Sequence, residues 1–475
     1  MVPSLASMAL GLCSVLPLVS ATTLPDIIYR DVVVIGGGAS GAYAAVRMRD
    51  DFGKSIALIE KEENLGGMVN TYVGESGATF DYGVQTFLNK SKAADFFARF
   101  NVPVGSGSSS LSLTTDYIDF NTGASVDFTP PAIGKQIAAI AKFFEIIEPW
   151  ESMLSPGYWN FPEPSDIPED LLIPFGEFLT KHGLEDATPI MYASTGLGVG
   201  NMAEVETIWV LQSFGWDMAR ALTGQMGMFA PTSGGNQALY DAVAEDLGDD
   251  VLYTSTVIDS HRTEFGVFLT VRNHKTGKIT LIIARRLLVA IEPTDDNVKP
   301  LDLSAFEKKT LAKFTYSNEF TGLVSNSGFN TSFTYSNLPS AAAPDNTLVF
   351  QDEPMVSSFE YTGLEHLFRV MVIGNTTTTA DEAKALAQEN FNTLLKSGQL
   401  DESTVEELNW AAFSVHGAMH ARVTNDQLKG GFFQDLYKLQ GARSTWWTGG
   451  AFAANFQTQL WEFDEGLIPK ILEGL

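Results

Sequence analysis

The sequence predicts an α/β protein with a parallel-sheet domain and a second domain of mixed helices and strands. In residues 31–59, an apolar run leads through glycines into a helix-like segment, and a second apolar run follows. Glycine pairs followed by helix-like segments recur at residues 234–247 and 449–472. The chain has 475 residues, more than one hydrophobic core usually organises, so two domains are expected.

The first glycine-rich turn follows Asp31–Ile35, a β-branched run that predicts a buried parallel strand. Its glycines fit the spacing G-x-G-x-x-G. The first permits a tight turn, the second lets a pyrophosphate approach the backbone, and the third allows a helix to pack closely on the strand. Free N–H groups at the start of that helix favour an anion. The residues of this turn expected to bind a dinucleotide are Gly36, Gly38, Ala39, Ser40 and Gly41.

The second apolar run, Ser55–Ile59, predicts the neighbouring strand and is followed by Glu60 and Lys61, which are included in the expected site. An acid about 20 residues beyond the last glycine can accept hydrogen bonds from a ribose. Glu60 disfavours the 2′-phosphate of NADP, whereas NAD and FAD both carry a free hydroxyl there. A glycine-rich turn without a ligand is the alternative, but strand, helix and acid in register favour dinucleotide binding.

The residues after Glu60 resemble the flavin amine oxidase superfamily of FAD enzymes. The stretches "NLGGMVNTY" and "FDYGVQTF", at residues 64–72 and 80–87, carry the resemblance. It implies that FAD is the cofactor and that the FAD-binding domain is discontinuous and of the Rossmann type (GR2-like). The implied contacts are Gly66, Gly67, Met68, Gly83 and Val84. The family usually has arginine where this chain has Met68, so one cationic contact to the pyrophosphate is absent.

The resemblance continues in two distant segments. The amphipathic stretch Gln237–Leu247 predicts a helix, and "VLYTSTV" after it predicts a strand from which the resemblance implies an adenine contact by Val257. Near the end, "STWWTGGAFAANFQTQLWEF" resembles the family's last cofactor segment, whose helix N-terminus faces the flavin. The implied contacts there are Trp447, Gly449, Gly450, Gln459 and Leu460. For Trp447 and its neighbour Trp446, plain core packing is the alternative.

The predicted FAD-binding domain comprises residues 30–95, 228–295 and 425–475, and the predicted substrate-binding domain comprises residues 96–227 and 296–424. In the second domain, helices are predicted for Pro130–Leu154, Pro168–Gly183 and Met202–Phe214, and strands within Phe329–Val372. This domain is rich in Phe, Leu, Ile and Met and has no obvious carboxylate cluster for a polyamine. We therefore expect an apolar small-molecule substrate.

The charge balance disfavours nucleic acid as a partner, because 30 Lys and Arg against 57 Asp and Glu give a net charge of -27. Residues 1–21 form an apolar opening that ends in small residues. They predict a cleaved signal peptide, entry into the secretory pathway and no membrane span after cleavage. The single cysteine, Cys13, lies inside this leader. Sequons at Asn89, Asn330 and Asn375 are glycosylation candidates.

His416 and His420, in "FSVHGAMHARV", are the best candidates for a catalytic base, because histidine titrates near neutral pH and the segment precedes the last cofactor strand. A structural or exposed role is the alternative. Their spacing is that of a zinc motif, but Gly417 stands where that motif has glutamate, so no metal is predicted. The lysine that many amine oxidases use beneath the flavin has no assignable position here, which favours dehydrogenation or oxidative cyclisation.

Within the superfamily, the chain most resembles fungal FAD-dependent oxidoreductases of specialised metabolism, the β-cyclopiazonate dehydrogenase-like group. Further stretches that carry this resemblance are "IPFGEFLTKHGL" and "GGFFQDLYKLQGARSTWWTGGAF". It implies a dehydrogenase or oxidative cyclase that acts on an apolar natural product and passes electrons to molecular oxygen or another acceptor. An amine or amino-acid oxidase releasing hydrogen peroxide and a flavin-dependent double-bond isomerase are the alternatives.

Overall fold

The computed structural model describes residues 25–106, 113–194, 196–342, 349–402, 407–453 and 456–475, so the expected signal peptide lies outside the described residues. Its strands are β1 Asp26–Ile35, β2 Ile56–Ile59, β3 Thr71–Val73, β4 Thr79–Asp81, β5 Phe87–Leu88, β6 Val104–Ser106, β7 Thr114–Asp119, β8 Ala124–Ser125, β9 Met228–Pro231, β10 Val251–Leu252, β11 Ser255–Thr263, β12 Gly266–Asn273, β13 Ile279–Val289, β14 Thr315–Ser325, β15 Phe333–Asn337, β16 Met355–Tyr361, β17 Phe368–Asn375, β18 Asn409–Arg422 and β19 Thr445–Trp447. Its helices are α1 Ala39–Val46, α2 Ala93–Arg99, α3 Ile133–Ile147, α4 Glu151–Leu154, α5 Phe175–His182, α6 Thr188–Ser194, α7 Thr207–Ser213, α8 Trp216–Leu222, α9 Gln237–Leu247, α10 Asp295–Val298, α11 Ala305–Leu311, α12 Ala380–Lys396, α13 Asn425–Lys429, α14 Phe432–Tyr437 and α15 Gln457–Leu472.

The first sheet has the strand order β10-β2-β1-β13-β12-β11, and β19 also pairs with β13. The pairs joining β10, β2, β1, β13 and β19 are parallel, and β11 and β12 form an antiparallel hairpin on β13. Val32, Val33 and Val34 in the middle of β1 are fully buried, as expected for a parallel strand covered on both faces. The strands β1, β13 and β19 are far apart in sequence but are parallel neighbours, so their carboxyl ends lie at the same edge of this sheet.

The helices α1 and α15 pack against each other beside this sheet. Tyr43 of α1 stacks on Trp461 of α15 with ring centroids 5.4 Å apart, and Trp461 Nε1 donates a hydrogen bond of 3.1 Å to the carbonyl oxygen of Ala39. Both rings are almost completely buried, and such an aromatic pair adds about 1 kcal/mol beyond the burial of its area. This contact joins the start of α1 to the C-terminal segment.

The second sheet has the order β18-β14-β17-β16-β15-β7-β8. Only the β7–β15 pair is parallel. The helix α12 covers one face through Phe391 and Leu394, and it starts at a capping box between Thr379 and Glu382. The edge strand β18 carries both His416 and His420, the two predicted catalytic residues, and it pairs with β14.

Several helices are shorter than the sequence predicts. The helix expected over Met202–Phe214 covers only Thr207–Ser213, because the N–H of Thr207 is already committed to the carbonyl oxygen of Ile173 at 2.9 Å. The helix expected over Pro168–Gly183 begins at Phe175, and the one expected over Pro130–Leu154 divides into α3 and α4. In the described ranges, no helix is both long and apolar enough to span a bilayer. No metal-binding group of His, Cys, Asp or Glu was found in these ranges either.

Candidate active site

The glycine turn between β1 and α1 lies beside the end of β13. Gly36 has φ of +99°, and a Cβ there would lie 2.7 Å from the carbonyl oxygen of Ala290. A Cβ on Gly41 would lie 1.8 Å from the carbonyl oxygen of Gly36. Both positions therefore require glycine. The helix α1 starts after Gly38, and among the described residues no side chain caps it and no acid lies in its first turn. Its N–H groups are free to bind an anion.

The paired glycines after β2 pack directly on this turn. The N–H of Gly66 donates to the carbonyl oxygen of Gly37 at 3.0 Å. Gly67 has φ of +60°, and a Cβ there would lie 2.9 Å from the Cα of Gly38. The two glycine-rich loops touch through backbone atoms, and side chains on Gly67 would separate them.

Met68, Gly83 and Val84 continue the same surface and are fastened to the turn before α9. The carbonyl oxygen of Met68 accepts a hydrogen bond of 3.2 Å from the N–H of Val84. A Cβ on Gly83 would lie 2.2 Å from that oxygen. Asn236 donates through Nδ2 to the carbonyl oxygen of Val84 at 2.5 Å and through its backbone N–H to Asp81 at 2.9 Å. This network holds the 66–84 segment against α9.

Glu60 is buried between the first glycine turn and the hairpin. Its Oε2 accepts a hydrogen bond of 2.7 Å from the N–H of Gly37, and its Oε1 accepts one of 2.8 Å from the N–H of Glu62. Its carbonyl oxygen accepts from the N–H of Ser255 at 2.9 Å, which starts the strand carrying Val257. This bond joins the residue after β2 to the first residue of β11, the strand that carries Val257.

The C-terminal segment approaches through Gly449, with φ of +105°, and Gly450. Trp447 before them is fully buried and stacks on Phe452 with centroids 6.0 Å apart. After them, α15 begins with neither a side-chain cap nor an acid in its first turn, as far as the chain is described. A second helix N-terminus in the cluster is therefore free to face an anionic group.

Among the remaining predicted contacts, Gln459 already has a hydrogen-bond partner and Lys61 lies away from the glycine-rich loops. Gln459 Nε2 donates to Asp217 at 2.8 Å, while Leu460 is half-buried beside it. Lys61 extends into solvent with 70% of its side chain exposed. The structure does not bring Lys61 into the cluster, and its role stays a prediction.

His416 lies on β18 and contacts the segment that follows the paired glycines Gly66 and Gly67. Its Nε2 is 2.8 Å from Oδ1 of Asn70. Because an amide oxygen can only accept, Nε2 carries a proton and Nδ1 of the neutral ring is left with a lone pair. Burial lowers the pKa of His416, and the carboxylate of Glu319 opposes that shift. The ring is therefore neutral near pH 7 and able to accept a proton at Nδ1.

His420, on the same strand, is buried in a chain of three side chains. Its Nδ1 lies 2.8 Å from Oγ of Ser213, and its Nε2 lies 2.9 Å from Oε1 of Glu319. Burial raises the pKa of Glu319, but the hydrogen bond from His420 and the nearby charges of both histidines outweigh burial and lower it. A Cβ on Gly198 would lie 2.0 Å from Nε2 of His420, so glycine is required where this loop covers the pair. Glu319 thus links the two predicted catalytic histidines.

The chain is similar to known proteins over nearly its whole length. It is 31% identical over 456 residues to the β-cyclopiazonate dehydrogenase of Aspergillus flavus, covering 96% of each chain. It is also 31% identical over 457 residues to an FAD-dependent oxidoreductase of Monascus ruber, covering 95% of this chain and 94% of the other. This chain belongs to that family of FAD-dependent oxidoreductases. It is an FAD-dependent oxidoreductase, as the sequence predicts.

Other comparisons agree with the fold. Residues 34–100 match the NAD(P)-binding Rossmann-like domain. A fatty acid isomerase from P. acnes that produces CLA has a TM-score of 0.69 at 15% identity, covering 93% of this chain and 99% of the other. Putrescine oxidase bound to putrescine has a TM-score of 0.63 at 15% identity, covering 94% of this chain and all of the other. At these identities the likeness shows a shared fold.

The residues present fit FAD. The two glycine-rich loops pack so closely that a Cβ at Gly36, Gly41 or Gly67 would clash with neighbouring protein atoms, whereas Gly38 leaves its backbone open to a pyrophosphate. Two uncapped helix N-termini supply donors for that pyrophosphate. Glu60 supplies a buried carboxylate that can accept from a ribose. The oxidoreductase therefore has groups suited to the pyrophosphate and a ribose of the dinucleotide without the arginine that Met68 replaces.

Sequence reasoning missed Asn70, Ser213, Glu292 and Glu319. Asn70 is separated from His416 by 346 positions, and Ser213 is separated from His420 by 207, so no local pattern pairs them. Glu292 did leave a signal, because it ends the apolar run of "LLVAIEP" as Glu60 ends that of "IALIE". A carboxylate at that edge of a parallel sheet faces the ligand crevice.

Proposed function

We propose that this oxidoreductase is a dehydrogenase, or an oxidative cyclase, that removes a hydride equivalent and a proton from an apolar natural product. The FAD-binding unit comprises residues 30–95, 228–295 and 425–475, and the remainder of the mature chain binds the substrate. Bound FAD supplies the electron-accepting chemistry. The electrons then pass to molecular oxygen or another acceptor.

The observation that carries the proposal is the neutral His416 above the cofactor loops. Its Nε2 is held by Asn70, and Nδ1 has no hydrogen-bond partner within the described residues. That nitrogen is the proton acceptor in our proposal, and Asn70 fixes which nitrogen is free. Glu319, ionised and paired with His420, stabilises the imidazolium that forms when His416 takes a proton. Ser213 and His420 act as positioning residues because they hold the Glu319 carboxylate in place.

Replacing His416 with glutamine tests the assignment of the base. We expect kcat to fall about 10²- to 10⁴-fold, with a much smaller change in KM, because glutamine keeps a donor for Asn70 but accepts no proton. In the unmodified enzyme, kcat rises with pH through a pKa below the ordinary histidine value of 6.5, since only neutral His416 is active. This rise, the acid limb of the pH profile, is lost in H416Q.

The matched control is His182→Gln, which alters a histidine on α5 that is bonded to Asp170 at 2.8 Å. It is expected to leave kcat and its pH profile unchanged. A second variant, Glu319→Gln, removes the charge that raises the pKa of His416, so the acid limb moves to lower pH. If H416Q keeps kcat and the acid limb, His416 is not the base.

The reaction class is tested by anaerobic bleaching of the purified flavoprotein. β-Cyclopiazonate, named in a relative, is the first apolar probe, and putrescine, named in a solved structure, is the amine probe. We expect bleaching by the apolar probe or by apolar analogues, with a product two hydrogens lighter than the substrate. Bleaching by putrescine, with peroxide released once oxygen is admitted, would instead select an amine oxidase, and a product of unchanged mass without bleaching would select an isomerase.

We further propose that residues 1–21 are a cleaved signal peptide and that the mature enzyme works in the secretory pathway or outside the cell. The sequons support this, since the side chains of Asn89 and Asn375 are exposed. N-terminal sequencing of the native protein and its mobility after removal of N-glycans test the proposal. An intact leader without glycans would contradict it.

A further inference from the structure

Glu292 lies at the edge of the first sheet where the cofactor loops meet. It follows β13, whose extension is bonded to β1 through the N–H of Ala290 and the carbonyl oxygen of Ile35 at 2.8 Å. A Cβ on the neighbouring Gly36 would lie 2.6 Å from Cγ2 of Ile291. Ligands of parallel α/β sheets bind outside this carboxyl edge. Glu292 is therefore on the floor of the crevice that the phosphate loop borders.

The carboxyl group of Glu292 is set against the C-terminal cofactor loop. Its Oε1 lies 4.0 Å from where a Cβ of Gly449 would be. Its Oε2 has no contact with solvent and no hydrogen-bond partner among the residues that the structure describes. Burial raises the pKa of Glu292 to about 7, although the backbone N–H groups of Gly450 and Ala451 partly offset the rise. The side chain is thus poised to change charge near neutral pH.

The groups that face Glu292 from the second domain do not neutralise it. Tyr158 and Tyr316 are both buried, and each phenol has its pKa raised, chiefly by burial and additionally by the charge of Glu292. Asp295, at the start of α10, adds another negative charge near Tyr316. No ion pair reaches Glu292 in the described ranges. An ionised Glu292 would therefore be an uncompensated charge inside the site.

We propose that Glu292 is a further residue of the FAD site and that FAD binds to the chain only when this carboxyl group is protonated. The argument is electrostatic. FAD brings a negatively charged pyrophosphate into the crevice bordered by the same glycine loops, and like charges in a desolvated site repel strongly. A protonated carboxyl group avoids that repulsion and can donate a hydrogen bond to the cofactor. The proposal rests on FAD binding and is independent of the substrate.

The sign of the pH dependence follows directly. Below a pH of about 7, Glu292 in the free chain already carries its proton, so FAD affinity does not change with pH. Above that value, binding must take up a proton, and the dissociation constant rises by up to tenfold per pH unit. The proton uptake approaches one per FAD on the alkaline side.

The test is a titration of the cofactor-stripped protein with FAD, followed by flavin fluorescence, at about pH 6 and about pH 8.5. For the unmodified chain we expect affinity to weaken about tenfold or more between these values. Glu292→Gln, a neutral mimic, is expected to bind with less than about a twofold change. The matched control Asp295→Asn removes a charge three residues away on an exposed helix start and should keep the full pH dependence.

Calorimetry in buffers with different ionisation enthalpies gives a second readout that needs no variant. Proton uptake on FAD binding above a pH of about 7 supports the proposal. Affinity of the unmodified chain that does not vary with pH, or a pH dependence retained in E292Q, would overturn it. No FAD binding at any pH would overturn this proposal and the cofactor assignment together, so the two failures are distinguishable.

Discussion

Gly41→Ala is expected to give a protein that neither holds FAD nor folds with the stability of the unmodified enzyme. The new Cβ would lie 1.8 Å from the carbonyl oxygen of Gly36 and 3.1 Å from Cβ of Ala290. The nearest obstacle is backbone directly after the buried end of β1, so it cannot rotate away as a side chain could. Overpacking of this kind costs about 3 kcal/mol or more. The helix α1 must move off β1, and the uncapped N–H groups move with it.

The measurement combines soluble yield, thermal unfolding and the ratio of flavin to protein absorbance. Gly134→Ala is the matched control, because a Cβ there meets no described atom within 4 Å and the residue lies in α3. It should raise stability by about 0.5–1 kcal/mol, since alanine is the better helix former. Unchanged flavin content and melting temperature in G41A would contradict the close packing of α1 on β1.

Gly38→Ala separates the cofactor from the fold. A Cβ on Gly38 would lie 3.6 Å from the Cα of Gly67, an ordinary contact, and Gly38 has negative φ. We therefore expect the cofactor-free protein to be as stable as the parent. Because the methyl group enters the space where the pyrophosphate approaches the backbone, FAD affinity should fall at least about tenfold. Equal losses of stability in G38A and G41A would mean that both glycines serve only the fold.

Local sequence patterns were sufficient where a segment's own side chains determine its structure. The amphipathic stretch Gln237–Leu247 is a helix with those bounds in the structure. The run "VLYTSTV" failed as a single strand, because Thr254 has φ of +49° and its N–H is bonded to the carbonyl oxygen of Glu62. That contact joins residues far apart in sequence, so β10 and β11 are separate strands with different neighbours.

The residues of the candidate site likewise fall into those that local sequence patterns identify and those that only tertiary contacts bring together. Glycine spacing and a following acid are short-range signals, and the sequence yields Gly36, Gly41 and Glu60 from them. The partners of the catalytic candidates come from other elements, since Asn70 follows the paired glycines and Glu319 lies on β14. Composition around His416 cannot specify its tautomer, because the tautomer depends on the side chain that tertiary packing brings to Nε2. The sequence therefore identified His416 as a candidate base, but the nitrogen that can accept a proton could be assigned only from the structure.

Replacing Arg262 with methionine is expected to lower the free energy of unfolding by about 3–5 kcal/mol and the melting temperature by on the order of 10 °C. The Arg262 side chain is completely buried and donates to both oxygens of Glu307, at 2.9 and 3.1 Å, and to Asp302 at 3.0 Å. Its Nη1 also lies 3.3 Å from Oγ1 of Thr445, the first residue of β19. Methionine fills much of the volume but leaves Glu307 as a buried carboxylate without its main partner.

A double variant distinguishes lost charge pairing from lost packing. Adding Glu307→Gln to R262M removes the buried carboxylate that the single variant leaves without its main partner, so the double variant should recover part of the lost stability. A deficit caused only by packing would remain. Arg272→Met, on the exposed face of the neighbouring strand β12, is the control and should change stability by no more than about 0.5 kcal/mol.

Because Arg262 also anchors the strand that leads to Gly449, R262M should release FAD at a lower temperature than the one at which its secondary structure melts. Simultaneous loss of both signals would mean that β19 does not loosen independently of the rest of the sheet.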